Sequence, residues 1–208
     1  MTPPILLPIL LFTSLTLTSP LLPRGDSSCS HSSLSGFNWT AKSLHFHSLT
    51  TLTSPTTFSS ASGSLSFNLS NPALGPSFDQ LCTATSPTPD QFFYLDQWFT
   101  CLYTPSPSGS NLDPLVATTS AASFRFDKPS GRLEVRQSWE CGDGDDPQYP
   151  TAQFSASGGV NVSLDCRMDF WQNPNWAGGS GDLLYGNETV ECGVVDVQVA
   201  VESIEASA

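Results

Sequence analysis

Basic side chains are scarce in this chain. Among 208 residues there are seven Lys and Arg together against nineteen Asp and Glu, and the formal net charge is −12. A surface of that sign repels phosphate backbones and anionic lipid head groups. We therefore predict no nucleic-acid partner and no membrane partner, and we interpret the excess of acid as a source of solubility.

Sequence signatures of common catalytic and cofactor chemistry are also missing. There is no phosphate-binding loop, no dinucleotide fingerprint and no Cys-x-x-Cys pair. The stretch "GGSGD" at 178–182 is not the Gly-x-Ser-x-Gly elbow of a hydrolase. We predict a non-catalytic protein without a cofactor. A hydrolase with an unmarked carboxylate pair stays open as a second alternative, because Asp and Glu are plentiful.

Metal-ligand patterns are present only in fragments. The acidic turn at 143–146 lacks the spacing and the terminal Glu of a calcium loop. His45 and His47 are two residues apart and share one face of a strand, but zinc or copper would need a third ligand. The remaining histidine, His31, falls near the N-terminus. We therefore predict no metal site.

A long hydrophobic run is found only at the N-terminus. Residues 5–17 are apolar, but this run is too short to span a bilayer and is broken by Pro8. We interpret 1–18 as a signal peptide and 19–36 as a flexible, Ser-rich N-terminal segment. Its "RGD" tripeptide at 24–26 fits a flexible terminus better than an adhesion motif. We expect the chain to be released from the cell.

Cysteines and glycosylation sequons agree with secretion. Six cysteines lie beyond the predicted signal, an even number that suits three disulfides without fixing their pairing. The cysteines are Cys29, Cys82, Cys101, Cys141, Cys166 and Cys192. Four Asn-x-Ser/Thr sequons lie at Asn38, Asn68, Asn161 and Asn187. We predict three bridges, glycans at these four positions, and a secreted, extracellular protein.

The rest of the chain has the pattern of short strands between turn clusters. We find no convincing helix and no repeat, and we predict an all-β protein of about seven to ten antiparallel strands. A barrel or a sandwich fits this pattern. We place a single β domain at 37–201 and a C-terminal tail at 202–208.

Apolar parity places several of these strands. In 37–49 the apolar positions Trp39 and Ala41 give way to Leu44 and Phe46, a switch that predicts a β-bulge. The sequon residues Asn68 and Asn161 fall on the polar parity of their own strands, where a glycan would face water.

The stretch "FRFDKPSGRLEVRQSWEC" (124–141) predicts a two-faced hairpin. Leu133, Val135 and Trp139 share one parity, while Glu134 and Arg136 share the other. The segment "DKPSG" supplies the turn, and its Gly can adopt a positive φ. We therefore expect Trp139 in the core and cross-strand pairing of the charges outside.

Two other tryptophans are candidate ligand contacts. Trp171 and Trp176 lie in "DFWQNPNWAGG", which we interpret as a Gly/Asn-rich loop. Such rings could stack on a sugar or another flat ligand, although a plug for the core is the alternative. They are the reason to keep an extracellular carbohydrate- or small-ligand-binding module as the first alternative function.

The order of segments resembles a known family. The strand "WTAKSLHF" is followed by "SFNLSNP", by cysteines in "CTA" and "WFTC", and then by "FRFD" and "LEVRQSWEC". Over about residues 37–166 this is similar to the Alternaria major-allergen-like family of small secreted fungal proteins. The stretch from about 167 to 208 extends beyond the family pattern.

The resemblance implies a compact antiparallel β-barrel with disulfides. It also implies an allergen, effector or elicitor without an established enzymatic activity, acting at a host or cell-wall interface. On the same basis the bridges would join Cys82 to Cys101 and Cys141 to Cys166, leaving Cys29 and Cys192 as the third pair. The oligomeric state stays open.

Overall fold

The structure of the chain is a computed structural model that describes most of the sequence from Cys29 onward. The described residues are 29–75, 78–88, 93, 97–103, 119–142, 151–178 and 184–207. Their elements are α1 (Cys29–Leu34), β1 (Asn38–Ser54), β2 (Thr57–Ser70), a 3₁₀ turn (Pro72–Leu74), β3 (Asp79–Ser86), β4 (Phe99–Tyr103), β5 (Ala121–Asp127), β6 (Arg132–Cys141), β7 (Ala152–Asn161), β8 (Cys166–Gln172), β9 (Gly186–Cys192) and β10 (Val195–Ser207). The predicted signal peptide, the "RGD" tripeptide and the acidic turn at 143–146 lie outside the described residues.

Eight of the strands close into an antiparallel barrel. Around the ring the order is β1, β2, β3, β4, β5, β6, β7 and β10, and β10 pairs with β1 to complete it. Closure satisfies both edges of each strand in the ring, which a sheet of this size otherwise has to protect. The predicted all-β class is confirmed, and the architecture is the barrel rather than the sandwich.

β1 is bent by a bulge near its start. Its register shifts between Ala41 and Leu44, where Ser43 adopts a φ of 53°. Trp39 and Ala41 before the shift, and Leu44 after it, are all fully buried. The bulge predicted from the change of parity is therefore confirmed, and it keeps both halves of the strand facing the core.

The second half of β1 extends the same sheet beyond the closed ring. Residues 47–52 pair with β9 on one side and still pair with β2 on the other. β9 pairs in turn with β8, which forms the outer edge of this sheet. We call the pair β8–β9 the outer hairpin. Because this stretch of β1 pairs with both β2 and β9, the outer hairpin is built directly onto the barrel.

β5 and β6 form the predicted two-faced hairpin. Leu133 and Val135 are fully buried and Trp139 is 1% exposed, so the expectation that Trp139 is a core residue is confirmed. Gly131 closes the turn with a φ of 69°, and a Cβ there would lie 2.5 Å from the carbonyl oxygen of Val162. Only Gly satisfies both the dihedral angle and this close approach.

Aromatic rings fill the barrel interior. Phe67 meets Phe124 edge to face at 4.9 Å, and Trp139 stacks on Phe154 at 5.6 Å. Trp39 is fully buried on the first strand of the ring. The first contact joins the non-neighbouring strands β2 and β5 across the interior, and the second joins the neighbouring strands β6 and β7, so the described interior is a packed core.

A buried network of polar side chains lies within this apolar core. The Gln137 Oε1 atom accepts hydrogen bonds from Trp39 Nε1 at 2.7 Å and Asn71 Nδ2 at 2.8 Å. Its Nε2 atom donates to Gln80 Oε1 at 2.9 Å and Ser120 Oγ at 3.1 Å. Gln137 therefore uses both ends of its amide to satisfy groups from four other segments.

The helix α1 is attached to β6 of the barrel by a disulfide and a buried hydrogen bond. Ser33 is 1% exposed, and its hydroxyl accepts a hydrogen bond from Trp139 Nε1 at 3.0 Å and donates to the Cys29 carbonyl at 2.8 Å. We predicted no helix and a flexible segment here, whereas residues 29–34 are helical and bridged to β6. No helix in the described part of the chain is long and apolar enough to cross a membrane.

The disulfide pairing differs in part from the one that the family resemblance implied. The bridge between Cys82 and Cys101 is present, and no cysteine is free. The other two bridges join Cys29 to Cys141 and Cys166 to Cys192. The implied pairs of Cys141 with Cys166 and of Cys29 with Cys192 are therefore wrong. The register explains this, because Cys166 lies directly opposite Cys192 on neighbouring strands.

Three strand assignments also differ from the sequence analysis. We assigned no strand to 166–172 or 186–192, where β8 and β9 lie, because turn residues surround both segments. We ended the β domain at 201, but β10 continues to Ser207 along β7, where backbone pairing supports a segment with no buried side chains.

Candidate functional site

The outer hairpin carries the strongest candidate contact surface. Its ends are held by the bridge between Cys166 and Cys192, and just beyond them Gly193 donates a backbone hydrogen bond to the Asp165 carbonyl at 2.8 Å. β9 is also paired with β1 over residues 47–52. The hairpin is therefore fixed to the barrel by covalent and backbone bonds.

The edge strand β8 exposes apolar side chains. All seven of its residues are exposed. Met168 is 64% and Phe170 51% exposed, and because they are two residues apart they share one face. The Phe170 ring lies over Gly186 of β9 and approaches the Tyr185 ring at 6.2 Å. Sequence analysis missed this face, although the alternation of Met168 and Phe170 with polar residues was a signal for it.

Trp171 points to the opposite face of the hairpin. It lies in β8 rather than in the loop to which we assigned it, directly opposite Asn187 of β9. Its side chain is 50% exposed. Within the described residues it contacts no other aromatic ring.

Trp176 is placed differently from Trp171. Its ring meets Tyr185 edge to face at 4.9 Å, and its Nε1 atom donates to the Thr53 carbonyl at 3.1 Å. Neither tryptophan lies in the described barrel core. Trp176 is held by Tyr185 and the Thr53 carbonyl, whereas Trp171 has no aromatic partner among the described residues.

The two histidines on β1 meet a carboxylate that sequence analysis did not identify. Glu191 lies opposite His47. The Glu191 Oε1 atom is 2.5 Å from His45 Nε2, and its Oε2 atom is 3.7 Å from His47 Nε2. The described residues contain no group of three ligating side chains that could hold a metal ion. The histidines instead form a half-exposed polar cluster with Glu191.

The outer face of the β5–β6 hairpin carries an ion-pair network, as predicted. Glu134 accepts a hydrogen bond from Arg125 across the strands, which lowers the pKa of the Glu134 carboxyl group, and Arg132 and Arg136 lower it further. Arg136 also lies 4.0 Å over the Trp98 ring. A general acid needs a raised pKa, so the lowered pKa of Glu134 fits a structural ion pair.

The four sequon asparagines share one property. None of their carboxamides makes a hydrogen bond to another described residue, whereas Asn71 and Asn173 do. Asn38 and Asn161 are exposed, and Asn68 and Asn187 are half-buried. All four amide nitrogens are therefore unengaged by the described protein atoms, as a glycan attachment point has to be.

A groove of about 330 Å³ lies where β6, β7 and β10 meet. Its walls include the stacked rings of Trp139 and Phe154, and Glu140 and Glu205 stand at its polar rim. The Glu140 carboxylate accepts a hydrogen bond from Gln153 at 3.1 Å. Among the described lining residues, Glu140 and Glu205 are the two carboxylates and there is no histidine.

The fold places this chain in the class of disulfide-bonded β-barrel proteins. It is a closed eight-stranded antiparallel barrel with three disulfides and an outer hairpin. The family model described as Alternaria alternata allergen 1 matches residues 45–192, which is more than half of the chain. The chain therefore belongs to the Alternaria alternata allergen 1 family. Comparisons with curated proteins and with solved structures find no match.

The family match extends beyond the segment in which we found the resemblance. We placed the similarity at about 37–166, whereas the match ends at residue 192, the last residue of β9. The outer hairpin is therefore part of the family pattern. Our interpretation of this stretch as an extension beyond the family is wrong up to that residue.

Proposed function

We propose that this protein is secreted and acts outside the cell, without catalysis, by contact with a host or cell-wall component. Membership of an allergen family supports an extracellular protein. The three disulfides, which use all six cysteines, favour an oxidising compartment. The four unengaged sequon asparagines are consistent with a glycosylating secretory route.

The exposed apolar face of β8 is the observation that carries this proposal. Met168 and Phe170 are more than half exposed, on a strand whose outer edge is unpaired by the described residues. Completing the burial of a side chain that is already about half buried stabilises a complex by about 1 kcal/mol. An extended segment of a partner can also add to a free strand edge through backbone hydrogen bonds. The disulfide and the pairing with β1 keep the surface in place before binding, which reduces the entropy lost on contact.

The described interior supports a binding role over an enzymatic one. The barrel is filled by aromatic rings, and its buried polar groups, such as Gln137, are committed to one another. Glu134 is held in the ionised form by its arginine neighbours. These features stabilise the barrel, and we therefore place the proposed binding function on its outer surface.

The experiment compares two substitutions that remove an exposed apolar side chain. Phe170→Asp alters the outer hairpin, and Leu102→Asp alters β4 of the barrel, where Leu102 is 64% exposed. Both variants are tested for binding to cell-wall and plant apoplast fractions and for the response of leaf tissue. We expect Phe170→Asp to weaken binding and the tissue response at least tenfold, and Leu102→Asp to retain both. Equal activity of the two variants, or turnover of a polysaccharide or peptide substrate, would contradict the proposal.

A second candidate function is the binding of a sugar or another flat ligand at Trp171. The open ring of Trp171 favours it, because a half-exposed indole without a ring partner is a stacking platform. The test is titration of the protein, produced without glycosylation, with soluble cell-wall oligosaccharides. We expect saturable binding that Trp171→Ala abolishes and Trp176→Phe retains; an unchanged affinity in Trp171→Ala would eliminate this candidate.

A further inference from the structure

The sequon at Asn187 has a neighbour that the other three sequons lack. Asn187 lies on β9, directly opposite Trp171 on β8 and Thr51 on β1. The residues opposite the other sequon asparagines are aliphatic or charged: Ala200 for Asn38, Lys42 and Leu81 for Asn68, and Arg132 for Asn161. Asn187 is therefore the one sequon residue that faces an aromatic ring across a described strand pair.

The geometry of the strand pair brings a sugar on Asn187 to the Trp171 ring. Directly opposed residues of antiparallel strands have Cβ atoms about 4.5–5.5 Å apart and side chains on the same face. The Asn187 carboxamide makes no hydrogen bond to another described residue, so its nitrogen is free to carry a substituent. Trp171 is 50% exposed, which leaves a ring surface uncovered beside that nitrogen.

The chemistry of the two groups is complementary. The face of an indole ring carries partial negative charge, and the C–H groups on one face of a pyranose ring are weakly positive. Stacking of the first sugar would also remove part of the apolar Trp171 surface from water. Both effects favour a sugar lying flat on the ring over one extending into solvent.

We propose that an N-linked glycan on Asn187 rests its first N-acetylglucosamine on Trp171. The exposed ring of Trp171 is then covered by the protein's own glycan. It is open to external sugars only when Asn187 is unmodified. The inference rests on the proposed function in one respect, which is passage through a glycosylating secretory route.

The experiment is a double-mutant cycle on the full chain secreted from a glycosylating yeast host. Thr189→Ala removes the sequon at Asn187, and Trp171→Ala removes the ring. Ser163→Ala, which removes the sequon at Asn161, is the matched control. Site occupancy is measured by mass spectrometry of glycopeptides, and stability by denaturant unfolding. The same variants produced without glycosylation correct for the loss of each side chain itself.

We expect Asn187 to be occupied and its glycan to raise the folding equilibrium constant roughly fivefold when Trp171 is present. This gain should vanish in Trp171→Ala, whereas the effect of Ser163→Ala should be the same in both backgrounds. The N-acetyl protons of the Asn187 glycan should also shift upfield because of the indole ring current.

Three outcomes would overturn the inference. Asn187 could be unmodified while the other three sequons are occupied, or its glycan could have the same effect with and without Trp171. Both outcomes leave the proposed function intact, since neither concerns Met168 or Phe170. If no sequon is occupied, the inference fails together with the secretory route on which the proposed function depends.

Discussion

Replacing Gln137 by Leu tests whether the buried polar network is essential to the barrel. Leu is similar in size to Gln but can neither accept the hydrogen bonds from Trp39 and Asn71 nor donate those to Gln80 and Ser120. Gln137 is 2% exposed and Asn71 and Trp39 are fully buried, so water has little access to the abandoned groups. Each orphaned buried donor costs about 1–3 kcal/mol. The Trp39 and Asn71 donors together give an expected loss of about 2–6 kcal/mol in the free energy of unfolding.

The assay is guanidinium unfolding of the oxidised protein, followed by tryptophan fluorescence. With a denaturant slope of about 4 kcal/mol per molar, this loss lowers the midpoint by about 0.5–1.5 M. Gln153→Leu is the control, because Gln153 is exposed and makes a single hydrogen bond to Glu140 at the surface. That change should stay within about 0.5 kcal/mol. If Gln137→Leu and Gln153→Leu unfold at the same midpoint, the claim that the buried network excludes water and is needed for stability is refuted.

Three further predictions concern the covalent links, the hairpin turn and the ion pair. The α1–β6 bridge spans 112 residues and the β8–β9 bridge spans 26. Replacing both cysteines of one bridge by Ala should therefore lower the free energy of unfolding by about 5 kcal/mol for the α1–β6 bridge and by about 3.5 kcal/mol for the β8–β9 bridge, measured by thermal unfolding. A larger loss for the β8–β9 bridge would contradict this. Gly131→Ala should destabilise the fold by at least about 2 kcal/mol, because Gly131 has a positive φ and lies close to the Val162 carbonyl. The control Gly193→Ala should be nearly neutral. Equal unfolding midpoints for the two variants would reject this explanation. The lowered pKa of Glu134 means that its pairing with Arg125 stabilises the fold above the unfolded-state pKa and is lost as pH falls through the folded-state pKa. Glu134→Gln should therefore be about 1 kcal/mol less stable than the natural chain near pH 6, and the gap should close in acid; a gap independent of pH would exclude the mechanism.

The barrel could be predicted where side chains alternate strictly between core and solvent. The parity switch between Ala41 and Leu44 located the bulge in β1, because only an extra residue keeps both positions facing inward. The alternation in β6 placed Trp139 in the core for the same reason. Period-two patterns are local, so they can be recognised without knowledge of partner strands.

The candidate site could not be predicted in the same way. The bonds of Gln137 join segments far apart in the chain, and its place between apolar residues of β6 gave no indication of the partners. Trp171 was assigned to a loop because the turn residues after it outweighed the short alternation in β8. The disulfide pairing depends on strand register, which places Cys166 opposite Cys192 and which no cysteine spacing reveals.

The path of the chain between β7 and β10 has a consequence for how such proteins diversify. The ring passes from β7 to β10, so the outer hairpin is an excursion from it, and a backbone hydrogen bond from Gly193 to Asp165 already joins the two ends of that excursion. Changing the length of a segment with fixed ends alters the entropy of closure only slowly. Insertions and deletions between these two ends can therefore accumulate without disturbing the closure of the barrel. The fold separates the part that must be preserved for folding from the part that is free to acquire new partners.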